Sequence, residues 1–329
     1  MIAKSVIAVV AGGYSSEREI SLKSASVVVT HLNPDEFEVH LIDIAPEGWS
    51  HVAPDGTRTP VNRADFSVSV PHGTIKFDAI FNAIHGTPGE DGKLTAYFDL
   101  IGIPYNTCGA FEAALTFEKG VCNQLLRQYG INVGRSVLIS ANESADPQGL
   151  IQELGLPLFV KPSKAGSSYG VSKVKSAEDF EAAVAHARRF DDLVIVEEFL
   201  DGRELTCGVF EHRSEVTALP VTEIISDNEF FDYEAKYKGE SREVTPADIA
   251  PQAQKDIQET SQRIYQLLRL KGVCRMDYIV RNDVPHLIEV NTVPGLSEAS
   301  IVPQQAQQFG LDLRTFFGDQ LKRILNDPS

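Results

Sequence analysis

At 329 residues and 36.1 kDa, with 43% hydrophobic content, the chain is long enough for two or three domains with true cores. Its 30 Lys and Arg against 46 Asp and Glu give a net charge of −16, so a nucleic-acid backbone is repelled on average, and no basic run of binding length offsets this. Four cysteines (Cys108, Cys122, Cys207, Cys274) lie far apart without a C-x-x-C pair, which argues against a zinc site or a disulfide framework and predicts buried thiols in a reducing cytosol.

The first residues, "MIAKSVIAVVAGG", place a lysine before an apolar run, as a signal peptide does. That run is only "VIAVVA" and passes at once into "GGYSSEREISL", the pattern of a strand entering a glycine turn. No window approaches the ~18 apolar residues of a membrane span. Ser16 and Glu19 have the spacing of a capping box, and Leu22, Ala25, Val29 and Leu32 recur at helical spacing. "EVHLIDI" and "DAIFNAIHG" read as buried strands, the second entering the loop "HGTPGEDG" and the helix "KLTAYFDLIG". Strands alternating with helices predict a parallel sheet covered on both faces, with ligands at the carboxyl ends of its strands.

From about residue 103 the order becomes α+β. One helix is expected over "AFEAALTFEKGVCNQLLRQYG", ending at Gly130, then the strand "SVLISA" and a helix near 147–154. "LPLFVKPSKAGSSYGVSKVKS" reads as two strands around a Gly/Ser tip, "SAEDFEAAVAHARRF" as a helix capped by Ser176 and Asp179, and "DLVIVEEFL" as a strand. Strands "RELTCGVF" and "VTALPVTEII" follow. The polar stretch "SDNEFFDYEAKYKGESREVTPA" is too long for an ordinary connection. A helix near 249–270, the hairpin "CRMDYIVRNDVPHLIEVNTVPG" and a C-terminal helix complete the chain.

Four constellations carry chemistry. In the hairpin, a turn centred on Asp283 sets Asp277 opposite Glu289 and Arg275 opposite Asn291 on one face. Two carboxylates and an amide across adjacent strands are a hard-oxygen set suited to Mg²⁺, with Arg275 a planar donor beside it. A solvated face of mixed charge would show the same residues, and a one-residue slip would turn them away. In "KPSKAGSSYG" the strands on both sides make a flap and not a Walker loop. Gly166, Ser167, Ser168 and Gly170 let backbone N–H groups approach phosphate beside the Lys161 cation, although such tips are commonly plain turns. "VIVEEFLDGRE" offers Glu197, Phe199, Leu200 and Glu204 to an adenine and a ribose, or is simply an acidic strand end. Glu17 and His85 follow strand ends, where a carboxylate can hold a substrate ammonium. The plain alternatives are a first-turn carboxylate favoured by the helix dipole and a hydrogen-bonded loop histidine. "GGYSSE" lacks the spacing G-x-G-x-x-G, which counts against a dinucleotide oxidoreductase.

Taken in chain order, "GGYSSEREISL", "HGTPGEDG", "FEKGVCNQLL", "LPLFVKPSKAGSSYGVSKV", "EEFLDGRELTCGV", "FDYEAKY", "GVCRMDY" and "LIEVNTVPGLSEASIVP" resemble the D-alanine:D-alanine ligases, ATP-grasp enzymes of bacterial cell-wall synthesis. The likeness covers essentially the whole chain. It implies an α/β ATP-grasp fold with an N-terminal Rossmann-like substrate domain over 1–102, a central lid domain with the flap over 103–196, and a C-terminal domain with an ω-loop and Mg²⁺ site over 197–329. It also implies a cytoplasmic homodimer that uses ATP to join two D-alanines through an acyl phosphate for peptidoglycan precursor synthesis. Relatives making D-Ala-D-lactate or D-Ala-D-Ser keep a second reading open, against which Tyr237 in "EAKY" weighs.

Carried over residue by residue, the resemblance gives Lys119 and Lys161 to the ATP phosphates, with Ser167 and Ser168 closing over them and Lys236 reaching toward them. Glu197, Phe199 and Leu200 fall at the adenine and Glu204 at the ribose. Asp277, Glu289 and Asn291 fall on the ligands of two Mg²⁺ ions, with Mn²⁺ as a substitute. Arg275 matches the arginine beside the reacting carbonyl, and Gly295, Ser300 and Ile301 the site of the second substrate's carboxylate. Glu17 and His85 match the first D-alanine's site, and Glu17, Ser167 and Tyr237 a trio that latches the mobile loop. No side-chain nucleophile is implied, because both nucleophiles belong to substrates. Tyr169 and Phe231 depart from the residues usual in the family.

Overall fold

The computed structural model describes residues 4–164, 166, 169–226 and 241–326. The apolar N-terminal run forms β1 (Ser5–Gly12), buried from Ile7 onward and flanked in parallel by β2 (Phe37–Ala45) and β7 (Ala79–Asn82). Helix α1 (Arg18–His31) buries Ser21, Ser24, Ala25 and Val28. The capping box expected of Ser16 and Glu19 does not form. Glu17 is the N-cap, without a side-chain cap, and Ser15 Oγ accepts the Glu17 N–H at 3.2 Å. The parallel part of this sheet is smaller than expected, because β3 (Gly48–Val52), β4 (Arg58–Asn62), β5 (Ser67–Val70) and β6 (Gly73–Ile75) extend the β2 edge as an antiparallel meander. Helix α2 (Lys93–Ile101) follows the loop after β7.

The helix expected over 110–130 is two, α3 (Ala110–Phe117) and α4 (Lys119–Gln128), broken at Glu118 with φ −86° and ψ 74°. Tertiary contacts break it. The N–H groups of Lys119 and Gly120 bond the carbonyl and hydroxyl of Ser163, both at 3.2 Å, and Gly120 lies so close to Leu138 that a Cβ would overlap it. A second, antiparallel sheet contains β8 (Ser136–Ile139), β9 (Leu158–Pro162), β10 (Ser172–Val174) and β11 (Val194–Glu198), in the order β10-β9-β11-β8. It shares a core with α5 (Pro147–Leu154) and α6 (Phe180–Ala187). Ser176 and Asp179 bond each other through their side chains at 2.9 Å and open a 3₁₀ turn ahead of α6, in place of a side-chain cap.

The third sheet runs β15-β14-β12-β16-β17, formed by β12 (Arg203–His212), β14 (Thr222–Ser226), β15 (Ser241–Val244), β16 (Cys274–Arg281) and β17 (Val284–Asn291), with β13 (Glu215–Ala218) on β12. The strand expected over "VTALPVTEII" divides into β13 and β14 around Pro220, which has no N–H to give a ladder. Helix α7 (Pro251–Leu267) buries Ile257 and Ile264 in the core of this sheet, which also takes Cys122 and Leu126 of α4. The C-terminal helix is also two, α8 (Ile301–Gln308) and α9 (Leu313–Asn326). Phe316, Phe317 and Leu321 of α9 return to the core of the N-terminal sheet. All four cysteines are buried free thiols, with Cys108 Sγ and Cys274 Sγ 3.8 Å apart.

Candidate active site

A cavity of about 830 Å³ opens where the two antiparallel sheets face the loops that end the parallel strands. On its floor the hairpin pairs Arg275 with Asn291 and Asp277 with Glu289, the expected register. The turn is tighter than expected. Asn282 and Asp283 alone form it, at φ +52° and +60°, and Arg281 pairs with Val284. Continued unbroken, that pairing would set Ile288 against Asp277. A bulge beside Asp277 absorbs Ile288 and brings Glu289 round to face Asp277.

Asp277 is bonded from three sides. Arg275 Nε and Nη2 donate to its two oxygens at 2.8 and 2.7 Å, Thr206 Oγ1 donates at 2.6 Å and Asn291 Nδ2 at 2.9 Å. Asn291 thus commits its N–H to Asp277 and keeps its amide oxygen as an acceptor. Glu289 Oε2 lies 3.4 Å from Lys119 Nζ, and Lys161 Nζ lies 2.6 Å from Glu197 Oε1. Asp277, Glu289 and the Asn291 oxygen are all hard ligands, which suits Mg²⁺. Among the described residues no three His, Cys, Asp or Glu gather to hold a metal, so this set needs the amide and oxygens from phosphate or water.

On another wall of the cavity, Phe159 and Phe199 stand 6.0 Å apart by ring centroid, Lys173 Nζ sits 4.3 Å over Phe199, and Leu200 is buried. Glu198 belongs to Arg135, whose backbone N–H donates at 2.8 Å and whose guanidinium donates at 3.2 and 3.1 Å. Burial opposes its ionisation, but those bonds and Arg281 outweigh it and hold the carboxyl below its usual range. Glu204 lines the same cavity from β12.

On the opposite wall, Glu17 lies against Gly86 and the flap residue Gly166, where a Cβ at position 166 would strike its carboxylate. His85 is buried, and both ring nitrogens are engaged. Nδ1 faces the Val293 carbonyl at 2.8 Å and must donate, so Nε2 accepts from Ser24 Oγ at 3.0 Å, and Ser24 Oγ in turn accepts the Leu296 N–H at 3.1 Å. Burial holds this imidazole below its ordinary pKa against the pull of Glu17 and the Val293 carbonyl. His85 therefore ties the N-terminal loop to the turn carrying Gly295. That turn approaches Ser300 closely: a Cβ at Gly295 would lie 2.8 Å from Ser300 Oγ, and Ser300 is the N-cap that precedes Ile301. Ser167, Ser168, Phe231, Lys236 and Tyr237 lie outside the described residues.

Sequence reasoning missed Glu90, although it stands in "HGTPGEDG". Its carboxylate accepts the Gly86 N–H at 2.6 Å and the Val293 N–H at 3.2 Å, while burial and then Glu17 raise its pKa to about 7. Thr206, Asn123 and Ser24 were missed because their partners lie 71, 165 and 272 residues away.

Two antiparallel sheets closing on a cavity with lysines on one side and a hard-oxygen ladder on the other define the ATP-grasp class. Residues 6–108 match the family model described as D-ala D-ala ligase N-terminus, and residues 125–321 match D-ala D-ala ligase C-terminus. A D-alanine--D-alanine ligase of Christiangramia forsetii is 45% identical over 98% of this chain and 99% of its own length. Among solved structures, the VanG D-Ala:D-Ser ligase of Enterococcus faecalis is 33% identical with a TM-score of 0.87, covering 98% of this chain and 100% of that one. D-alanyl-alanine synthetase A of Vibrio cholerae O1 biovar eltor is 26% identical with a TM-score of 0.89, covering 99% and 100%. The chain belongs to the D-alanine–D-alanine ligase family.

Proposed function

We propose that this chain joins two D-alanines into D-alanyl-D-alanine with ATP, for peptidoglycan precursor synthesis in the cytoplasm. The observation that carries this reading is the ladder of Asp277, Glu289 and Asn291 facing Lys119, with Lys161 in the same cavity, in a family named for the reaction. A carboxylate oxygen of the first D-alanine attacks the γ-phosphorus and the bond to ADP breaks; the second amine then adds to the acyl phosphate and phosphate leaves. Glu17 receives the first ammonium. Lys119 and Lys161 offset the charge gathered in the first step. Arg275 and a backbone N–H near Gly295 stabilise the oxyanion of the second. Asp277, Glu289 and Asn291 Oδ1 would hold two Mg²⁺ ions, or Mn²⁺ in their place, and the bound cations supply charge neutralisation at the phosphates. The flap with Ser167 and Ser168, and the segment with Lys236 and Tyr237, keep water from the acyl phosphate.

In this reading residues 1–102 present the first substrate, 103–196 form the lid over ATP and 197–329 carry the cation site. Leu100 and Phe111, 88% and 68% exposed on neighbouring helices, support a homodimer through α2 and α3, which light scattering of the wild type and a Phe111→Asp variant tests. Among the described residues no helix is long and apolar enough to cross a membrane. The likeness to a D-Ala:D-Ser ligase favours D-serine as the rival second substrate. ADP release stimulated by D-alanine and not by L-alanine, with the dipeptide identified by mass spectrometry in the presence of D-serine and D-lactate, tests both readings. Absence of D-alanine-stimulated release overturns the ligase function.

A further inference from the structure

The acids of the cavity are almost all committed. Glu197 pairs with Lys161, Glu198 with Arg135, Glu223 with Arg203, Asp277 with Arg275 and Glu289 with Lys119, while Glu90 accepts two backbone N–H groups. Glu17 and Glu204 have partners of their own. Two remain: Asp201 is exposed, whereas the half-buried Glu243 side chain of β15 meets, among the described residues, only Gln304 Nε2, at a long 3.5 Å.

Its place is specific. Gln304 also bonds the Ala299 carbonyl at 2.8 Å and lies one turn into α8, so the Glu243 carboxylate stands beside the N-terminus of that helix at Ser300 and Ile301. The positive charge of Arg275 on β16 favours its ionised form. Glu204 shares its row of the sheet through Ile224, and α8 contributes only the Gln304 amide. Burial raises the Glu243 pKa against Arg275 and Gln304. An α-amino acid with its carboxylate at the helix N-terminus can turn its ammonium toward Glu243 and its reacting face toward Arg275.

We propose that Glu243 binds the amino group of the second amino acid and so makes the site prefer an amine to a hydroxy acid. This rests on the ligase reading. As the nitrogen lone pair forms the C–N bond, the acyl C–O bond breaks with its electron pair going to phosphate. The ammonium loses two protons: Glu243 takes one and passes it to solvent, and the other leaves with phosphate as HPO₄²⁻. A D-2-hydroxy acid brings no positive charge to this carboxylate.

The test compares full-length wild type with E243Q and E243A in dipeptide formation, in D-alanyl hydroxamate formation from D-alanine, ATP and hydroxylamine, and in the product ratio with mixed D-alanine and D-lactate. E243Q is expected to raise KM for the second D-alanine about tenfold or more at neutral pH, the loss of one charge-assisted hydrogen bond. That deficit shrinks as pH approaches the amine's own pKa, the D-lactate share of product rises, and hydroxamate formation stays within about twofold, since hydroxylamine needs no ammonium site. An E243Q enzyme with the wild-type KM and product ratio at every pH overturns the role of Glu243 alone. A wild type that forms neither dipeptide nor hydroxamate overturns the ligase reading and Glu243 with it.

Discussion

Asn123 on α4 donates its side-chain amide to the carbonyl of Ile288, the bulged residue of β17, at 2.8 Å. Four residues earlier on the same helix, Lys119 reaches Glu289. One helix therefore holds both the bulge and the carboxylate that the bulge turns toward Asp277. Among the described residues Asn123 Oδ1 is buried without a partner, so Asn123→Leu loses one hydrogen bond but also removes an unsatisfied oxygen. We expect the melting temperature to move little while KM for Mg²⁺-ATP rises about tenfold, as when an outer-shell partner of a metal ligand is lost. Calorimetric titration with a Mg²⁺-nucleotide checks this, and wild-type affinity would remove Asn123 from the site.

Glu289→Gln keeps the shape of the ladder and removes one charge opposite Lys119. Turnover should fall by about a hundredfold or more, because in the proposed reading Glu289 holds the cations that would neutralise the phosphates. The fold should persist, since Glu289 is at the cavity and outside the hydrophobic cores. Circular dichroism and ADP release measured together decide it; near wild-type turnover would refute the cation assignment.

Lys161 and Glu197 form a short pair with side chains only 10% and 16% exposed. Lys161→Met leaves a mostly buried carboxylate without its cation, at a cost of about 3 kcal/mol. Adding Glu197→Gln should recover most of that stability and none of the activity, because the cation assigned to the phosphates in the proposed reading is still absent. Urea denaturation of both variants separates these effects. A double variant as unstable as the single one would show that the pair is not the source of the loss.

The ladder face was legible because strand alternation sends Arg275, Asp277, Glu289 and Asn291 to one side whatever the fold around them. The bulge was not, since Ile288 reads like any apolar strand residue and its extrusion depends on Asn123, 165 positions earlier. Periodicity likewise runs through Glu118 without interruption; the helix breaks there because Ser163 takes the N–H groups of Lys119 and Gly120. His85 was legible as a residue beyond a strand end and does line the cavity, but its ring bonds Ser24 and Val293 across an interface that no local pattern encodes.

Glu90 gives the stability of the protein a pH dependence whose sign follows from its surroundings. Burial first, and the Glu17 charge second, raise its pKa from an ordinary 4.5 to about 7 in the folded state. Between those values the folded chain keeps a proton that the unfolded chain has released, so this group's contribution to stability falls as pH rises from about 4.5 to about 7 and is constant above. Glu90→Gln has no proton to lose. Its melting temperature should decline less than that of the wild type across this interval, and the difference curve should level off above pH 7. The amide oxygen of the substituted side chain can still accept one of the two N–H groups now shared by the carboxylate, so the turn at Val293 should stay in place. Melting curves of both proteins over this range check the sign, and parallel curves would mean that Glu90 ionises in the folded protein as it does in water.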